Sequence, residues 1–249
     1  MIILKLNKEI DGIRNSCKIV SYILRELFKN IEPDVTTNFL NTMAEDLCLQ
    51  KGGIPAFKGY RGFPYSICSS RNEEIVHGFP SDIPLQSGDI LSIDFGVLYK
   101  GWYSDSAFTK AVGTVSKKSE KLIKITERCL YDGITAAQPG NRLGDIGYAI
   151  QSRAEAHGYS VIRDFVGHGI GKELHEEPQV LNYGSPNTGV KLKPGMVIAI
   201  EPMLTLGTGE THTLPDGWTT ITKDHTLAAH WEHTIVILEN GPEILTTRD

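Results

Sequence analysis

Two stretches of this chain are variants of one another. Leu85-Gln-Ser-Gly-Asp-Ile-Leu-Ser-Ile-Asp94 matches Leu192-Lys-Pro-Gly-Met-Val-Ile-Ala-Ile-Glu201 at an offset of 107, sharing the pattern Leu-x-x-Gly-x-apolar-apolar-small-Ile-acid. Upstream, Ile19, Leu24, Phe28, Pro33 and Leu40 match Ile125, Leu130, Ile134, Pro139 and Ile146 at an offset of 106. Two co-linear matches point to an internal duplication. The chain is therefore expected to fold as two like halves, about 8–113 and 114–240, around a pseudo-twofold axis. The 249 residues suit one α/β (α+β) domain.

The order helix, helix, hairpin occurs twice. Ile10, Ile13, Cys17, Val20, Leu24 and Leu27 recur every three or four residues and predict an amphipathic helix over 8–29 that Pro33 stops. A second helix is predicted over 37–50, with Phe39, Leu40, Met43 and Leu47 inward and Gly52-Gly53 at its end. Residues 52–88 read as a long irregular segment with one strand at 65–70. Helices over 117–136 and 143–157 follow, the latter with Asn141 as a candidate cap. Strands are predicted over 195–201 and 230–239, the last in the chain, with an irregular excursion over 205–224 between them.

The first hairpin carries the chemistry. Residues 88–105 hold two apolar, β-prone runs around a turn at Tyr99-Lys100-Gly101. Simple pairing about that turn sets Asp94 directly opposite Asp105, where like charges destabilise a strand pair. Two carboxylates so close share a proton or a cation. The duplication gives Asp94 a twin, Glu201. It also predicts a twin for Asp105, and Glu232 is the acid embedded in an apolar strand in the right half. One strand acid would be unremarkable at a solvent edge, but four at matched positions demand compensation, since unpaired buried carboxylates are expensive. The strand cores contain no Arg or Lys, and two divalent metal ions neutralise four carboxylates. His168, in Gly-His-Gly-Ile-Gly, would be an ordinary loop histidine if it stood alone. Its glycines let backbone approach a ligand closely, which favours metal ligation. Such an oxygen-rich set suits Mn, Fe(II), Co or Zn. HExxH and zinc-finger spacings are absent.

Composition closes off other classes. Net charge is −5 with both signs dispersed, which argues against nucleic acid or a membrane surface as the main partner. The four cysteines, Cys17, Cys48, Cys68 and Cys129, form no CxxC pair and read as reduced thiols in a cytoplasmic compartment. The apolar start of the chain is too short for a signal peptide, and no run is long enough to span a bilayer.

Asp94, Asp105, His168, Glu201 and Glu232, in that order, resemble the site of methionine aminopeptidase. The local motifs are His-Gly-Phe-Pro from His77, Ser-Ile-Asp-Phe-Gly, Gly-His-Gly-Ile-Gly, Ile-Glu-Pro-Met and Glu-His-Thr-Ile-Val. The resemblance covers essentially the whole chain and is to the short, bacterial-type form of the type I enzyme. It implies the pita-bread fold, an antiparallel sheet covered by two pairs of helices, in a single catalytic domain over 1–249. It implies metal-dependent removal of the initiator methionine from nascent proteins, with a small second residue preferred. Attack by a water or hydroxide bridging two metals (Co, Mn, Fe(II), Zn or Ni) is implied as well. Asp105 and Glu232 would bridge the metals, Asp94 would complete one, and His168 and Glu201 the other. Glu201 would also pass a proton to the leaving amine, His175 would hydrogen-bond the scissile carbonyl, and His77 the peptide nitrogen. Phe57, Tyr60, Phe63, Cys68, Leu174 and Trp218 would surround the methionine thioether. The partners implied are nascent N-termini, with ribosome docking left open; a monomer is expected, with no DNA or membrane. Two other readings stand beside this one: a pita-bread peptidase of the Xaa-Pro or prolidase kind, and a catalytically silent member that binds a ribosome, RNA or protein partner.

Overall fold

The structure is a computed structural model and describes residues 1–248. Its first half holds α1 (Asn7–Asn30), α2 (Thr37–Gln50), β1 (Ile54–Pro55), β2 (Cys68–Arg71), β3 (Glu74–Val76), β4 (Ile90–Tyr99) and β5 (Trp102–Ala111). The second half begins with α3 (Lys117–Ala136), α4 (Leu143–Ala156), β6 (Ser160–Val161), β7 (Gly167–Gly169) and β8 (Glu176–Val180). It continues through β9 (Val197–Ile200), β10 (Met203–Thr205), β11 (Thr211–Thr213), β12 (Thr220–Thr222), β13 (Ala228–His230), β14 (His233–Leu238) and β15 (Gly241–Ile244).

The helices follow the apolar periodicity. Every inward position predicted for α1 is buried, and the Leu122, Ile125, Cys129 stripe of α3 is buried too. Helix α2 differs: its buried stripe is Thr37, Leu40, Ala44 and Cys48, and Phe39 is 52% exposed. A 3–4–4 spacing passing through Ala44 and Cys48 turns Phe39 toward solvent. Thr36 caps α2 by accepting the Phe39 N–H at 3.2 Å, and Ser116 caps α3 by accepting the Ser119 N–H at 3.1 Å. Asn141 does not cap α4. Arg142 holds that position, its N–H donating to Asp145 Oδ2 at 2.7 Å. Asn141 instead donates to Ala136 O, tying off the end of α3.

The duplication extends to single backbone pairs. Helices α2 and α4 are both 14 residues long and start 106 positions apart. The pairs Ile54–Leu98 and Pro55–Val97 recur as Ser160–Thr205 and Val161–Leu204. Even the isolated bridge Thr36–Pro84 has its copy in Arg142–Lys191. Each half also has its own apolar core between helices and sheet. Leu24, Leu40, Phe95 and Phe108 anchor the first, and Leu122, Ile146, Ile198 and Ile235 the second. A third apolar cluster around Phe57, Phe63, Cys68 and Leu174 lies between them. Burying one such side chain is worth about 1.5–3 kcal/mol.

Three strand expectations change. The excursion after β10 is not irregular: β11 and β12 form a hairpin, and β12 pairs with β3 of the other half. The last strand is β15, which pairs with β14. Strands β1 and β3 add to the single strand expected over 52–88, which is β2. Both new pairings bind the excursion and the segment before His77 into one wall.

Candidate metal centre

The first hairpin closes through a two-residue turn, Lys100-Gly101, with φ of 50° and 79°. Two successive positive φ values belong to the type I′ turn, whose twist matches the flanking strands. Its register sets Asp94 opposite Ala107 and Asp105 opposite Gly96. The direct opposition of Asp94 and Asp105 is thus corrected to a diagonal. Alternate residues share a face, so both carboxylates still project from the same side of the sheet. Strand β2 sets Cys68 beside Asp94 on that side.

The second hairpin is interrupted. Its ladder runs Met203–His230 through Thr205–Ala228, and Val197–Val236 through Ile200–His233, in one register on both sides of a gap. Continued across the gap, that register sets Glu201 opposite Glu232. Glu201 is followed by Pro202, which cannot donate to a ladder. The register therefore pairs Glu232 with Ala107 across the pseudo-twofold axis, and Asp105 with His230. The expected twinning of Asp105 with Glu232 is corrected accordingly.

Two threonines confirm the correspondence. Thr109 Oγ1 donates to His230 O at 2.8 Å and accepts the His230 N–H at 2.9 Å. In the mirrored place, Thr234 Oγ1 donates to Asp105 O at 2.7 Å and accepts the Asp105 N–H at 3.3 Å. Between them, the Glu232 N–H donates to Ala107 O at 2.9 Å, and Ser106 Oγ donates to Glu232 O at 2.7 Å. These bonds lock β5 against the β13–β14 segment and bring Asp105 and Glu232 together.

His168 stands on β7, between β9 and β8. Its glycine neighbours serve the sheet: a Cβ on Gly167 would lie 2.3 Å from Ala199 O, and one on Gly169 2.2 Å from Glu177 O. The close backbone approach expected toward a ligand is made to strands β9 and β8 instead. His168 Nδ1 lies 2.9 Å from Gly169 O, which leaves Nε2 for the carboxylates. Nε2 is 3.7 Å from Glu201 Oε1 and 3.9 Å from Asp105 Oδ2. Single ligand atoms of Asp105, His168 and Glu232 all lie within 4.8 Å of one another.

Electrostatics define what this cluster needs. Burial pushes the carboxyls of Asp94, Asp105, Glu201 and Glu232 well above their ordinary range, and neighbouring carboxylates push the last three further. Asp94 Oδ1, Asp105 Oδ1 and Glu232 Oε1 are buried without a hydrogen-bond partner. Burial also pushes His168 down to about 4, and loss of hydration around its ring, with the neighbouring His168, pushes His175 to about 3 although one side of it stays open to solvent. A neutral imidazole among acceptor-only oxygens fits divalent cations, since neither group then needs to hold a proton.

The cluster forms the floor of a cavity of about 520 Å³ that contains every expected site residue. His77 follows β3 at φ 58°, and its ring stands edge-on to Phe165 and Trp218 at 5.5 and 5.9 Å. Burial pushes it down to about 4. His175 Nδ1 lies 2.8 Å from Tyr60 Oη, and its ring centre is 4.3 Å from that of His168. Phe63 packs edge-on against Trp218 at 5.2 Å. Trp218 comes from the β11–β12 connection, so the hairpin hidden in the excursion builds this wall. Phe57 and Leu174 line the same space.

Two functional neighbours escaped the sequence reading. His230 is buried, its Nε2 has no hydrogen-bond partner and it lies 3.7 Å from Glu201 Oε2. Its duplication partner, Asp105, was the signal that would have found it. Arg248 is the cation that the strand cores lack. Its buried guanidinium donates to Ser106 Oγ and Ala107 O, both at 3.0 Å, behind Asp105 and Glu232. It also lies over the Trp231 ring, 5.2 Å from its centre.

A fold duplicated about a buried carboxylate–imidazole cluster defines a metal-dependent hydrolase, and the chain belongs to metallopeptidase family M24, whose profile matches residues 11–239. A methionine aminopeptidase of Clostridium perfringens is 50% identical over 246 residues, which cover 99% of each chain. The solved methionine aminopeptidase from Rickettsia prowazekii superposes with a TM-score of 0.98 at 44% identity, over 99% of this chain and 100% of that one. The prolidase from Pyrococcus horikoshii is more distant, with a TM-score of 0.81 at 26% identity. All of this chain corresponds to only 65% of that prolidase.

Proposed function

We propose that this chain hydrolyses the peptide bond after an N-terminal methionine, with two divalent metal ions held by Asp94, Asp105, His168, Glu201 and Glu232. The observation that carries this reading is one cavity with an acidic floor and an aromatic, thiol-bearing wall. A thioether side chain suits that wall, because sulfur makes favourable contacts at ring edges. Tyr60, Phe63, Cys68 and Trp218, with Phe57 and Leu174, are its proposed surroundings.

Bound divalent metal supplies the positive charge that acidifies water and polarises a carbonyl. The protein's own groups do the rest. Glu201 takes the proton of the attacking water and delivers it to the leaving amine. With Tyr60 donating to Nδ1, His175 carries its proton on Nε2 and offers it to the carbonyl oxygen as charge develops there. His77, neutral and held between Phe165 and Trp218, faces the peptide nitrogen. The substrates are polypeptide N-termini with a small second residue. The family resemblance further supports a cytoplasmic monomer working on nascent chains at the ribosome. Among the described residues no helix is long and apolar enough to cross a membrane.

The test is release of methionine from Met-Ala-Ser by protein loaded with Mn, Co or Fe(II), against an Xaa-Pro peptide and against chelated protein. Methionine release that chelation abolishes supports the reading. Cleavage of the Xaa-Pro peptide alone favours a prolidase, and no cleavage with any metal favours a silent binding protein.

A further inference from the structure

A second cavity, of about 500 Å³, adjoins the first. The two share Glu177 and Gln179 as lining residues. Both belong to β8, which ends the five-strand order β15-β14-β9-β7-β8. The second cavity takes Glu177, Pro178 and Gln179 from β8 and nothing from β7. It therefore lies along the strand's outer side, where no further strand pairs. Its other walls combine the apolar side chains of Leu143 at the start of α4, Leu181, Tyr183 and Val190 with Thr188 and three glycines. Val190 is 41% exposed.

A polypeptide substrate must leave the first cavity after its second residue. The exposed lining residues there are Arg61, His175, Glu177 and Gln179, so the open rim runs from Arg61 to β8, which supplies two of the four. The outer side of β8 has no partner strand, but its register shifts at this step and Pro178 has no N–H to donate, so a chain lying there gains affinity mainly from a pocket that reads a side chain. We propose that the substrate chain, after leaving the metal-containing cavity, runs extended along the outer side of β8 and sets an apolar side chain in the second cavity. This rests on the proposed aminopeptidase reading and deepens it: the preferred substrates are polypeptides with a downstream apolar residue, not short peptides.

The experiment compares the metal-loaded wild type and Val190→Glu on Met-Ala-Ser and on octapeptides that begin Met-Ala and carry one Leu moved through positions three to six. In the wild type, one Leu position should raise kcat/KM over the all-Gly/Ser octapeptide by about three- to tenfold. The gain should appear in KM, because remote contacts bind ground and transition states alike. Val190→Glu should remove that gain and leave Met-Ala-Ser turnover unchanged. Equal kcat/KM for every octapeptide in the wild type overturns the proposal. So does a gain that Val190→Glu leaves intact. An octapeptide with benzoylphenylalanine at the favoured position, or in turn at each of positions three to six, reads docking without turnover. Its photocrosslink should fall within 177–190, and a crosslink elsewhere, or none, overturns the proposal even if Met-Ala-Ser is not cleaved. Failure of Met-Ala-Ser itself bears on the aminopeptidase reading alone.

Discussion

The two halves build the same hairpin in different ways. In the first, β4 and β5 pair without a break over ten residues each and close in two residues. In the second, the same ladder is cut between β9 and β10 and between β13 and β14, and residues 206–227 connect its strands. The intact hairpin supplies Asp94 and Asp105 from regular strand positions. The cut one supplies Glu201 and Glu232 from the gap, along with the hairpin that carries Trp218. The first half therefore contributes an unbroken strand pair and the Phe57, Tyr60, Phe63 and Cys68 side of the cavity, and the second adds the Leu174 and Trp218 side. Equivalent positions did not keep equivalent chemistry: Asp105 corresponds to His230, and Glu232 to Ala107.

The strongest way to break this comparison is to treat those partners as equal. Asp105→Ala should lower kcat/KM by more than about 10³-fold, because it removes a proposed ligand, whereas His230→Ala should stay within the roughly 10–100-fold of a group outside the proposed ligand set. His77→Ala should also fall short of Asp105→Ala. Matching losses in a steady-state assay would mean that the two halves contribute symmetrically. Next in size is Arg248→Met, which removes the guanidinium that donates to Ser106 Oγ and Ala107 O. Calorimetric Mn affinity should weaken by about tenfold while Arg248→Lys recovers part of it. An unchanged affinity would confine Arg248 to packing.

pH sharpens the comparison by reading the pooled carboxylates. Asp94 is pushed up to about 7 by burial. Its folded pKa lies above its unfolded value, so its contribution to the stability of the metal-free protein is complete below about pH 4 and is lost as pH rises through 7. Divalent metal replaces the protons and removes that loss. The rise in Tm on adding Mn should thus be larger at pH 8 than at pH 5.5, and equal rises would show that no protons are displaced. The smallest effect separates the twin threonines. Thr109→Val and Thr234→Val each lose hydrogen bonds worth about 1–2 kcal/mol in urea unfolding. Only Thr234→Val should also weaken metal binding, because it alone supports a proposed ligand.

Sequence periodicity was enough for the helices, whose apolar residues recur every three or four positions, and for the carboxylates, whose acidic side chains interrupt apolar strands. It failed where spacing carries no signal. The Asp94–Asp105 register turned on the backbone φ of Lys100 and Gly101. The β11–β12 hairpin is written in Thr-His-Thr and Thr-Ile-Thr, with no apolar alternation to mark it. His230 looked like a strand flank until register paired it with Asp105. Arg248 lies 16 positions beyond Glu232, where no pattern links the two. Phe39 met the helical spacing and still faces solvent, because Ala44 and Cys48 set the buried stripe.

The gap in the second ladder has a consequence for the divergence of such enzymes. Closing a flexible loop costs entropy only as the logarithm of its length, about 0.6 kcal/mol per doubling. The connection over 206–227 begins and ends at β10 and β13, which hold each other in register. Insertions there leave Glu201 and Glu232 where they are and change only the wall that carries Trp218. The fold thus separates what a lineage must keep from what it is free to rewrite.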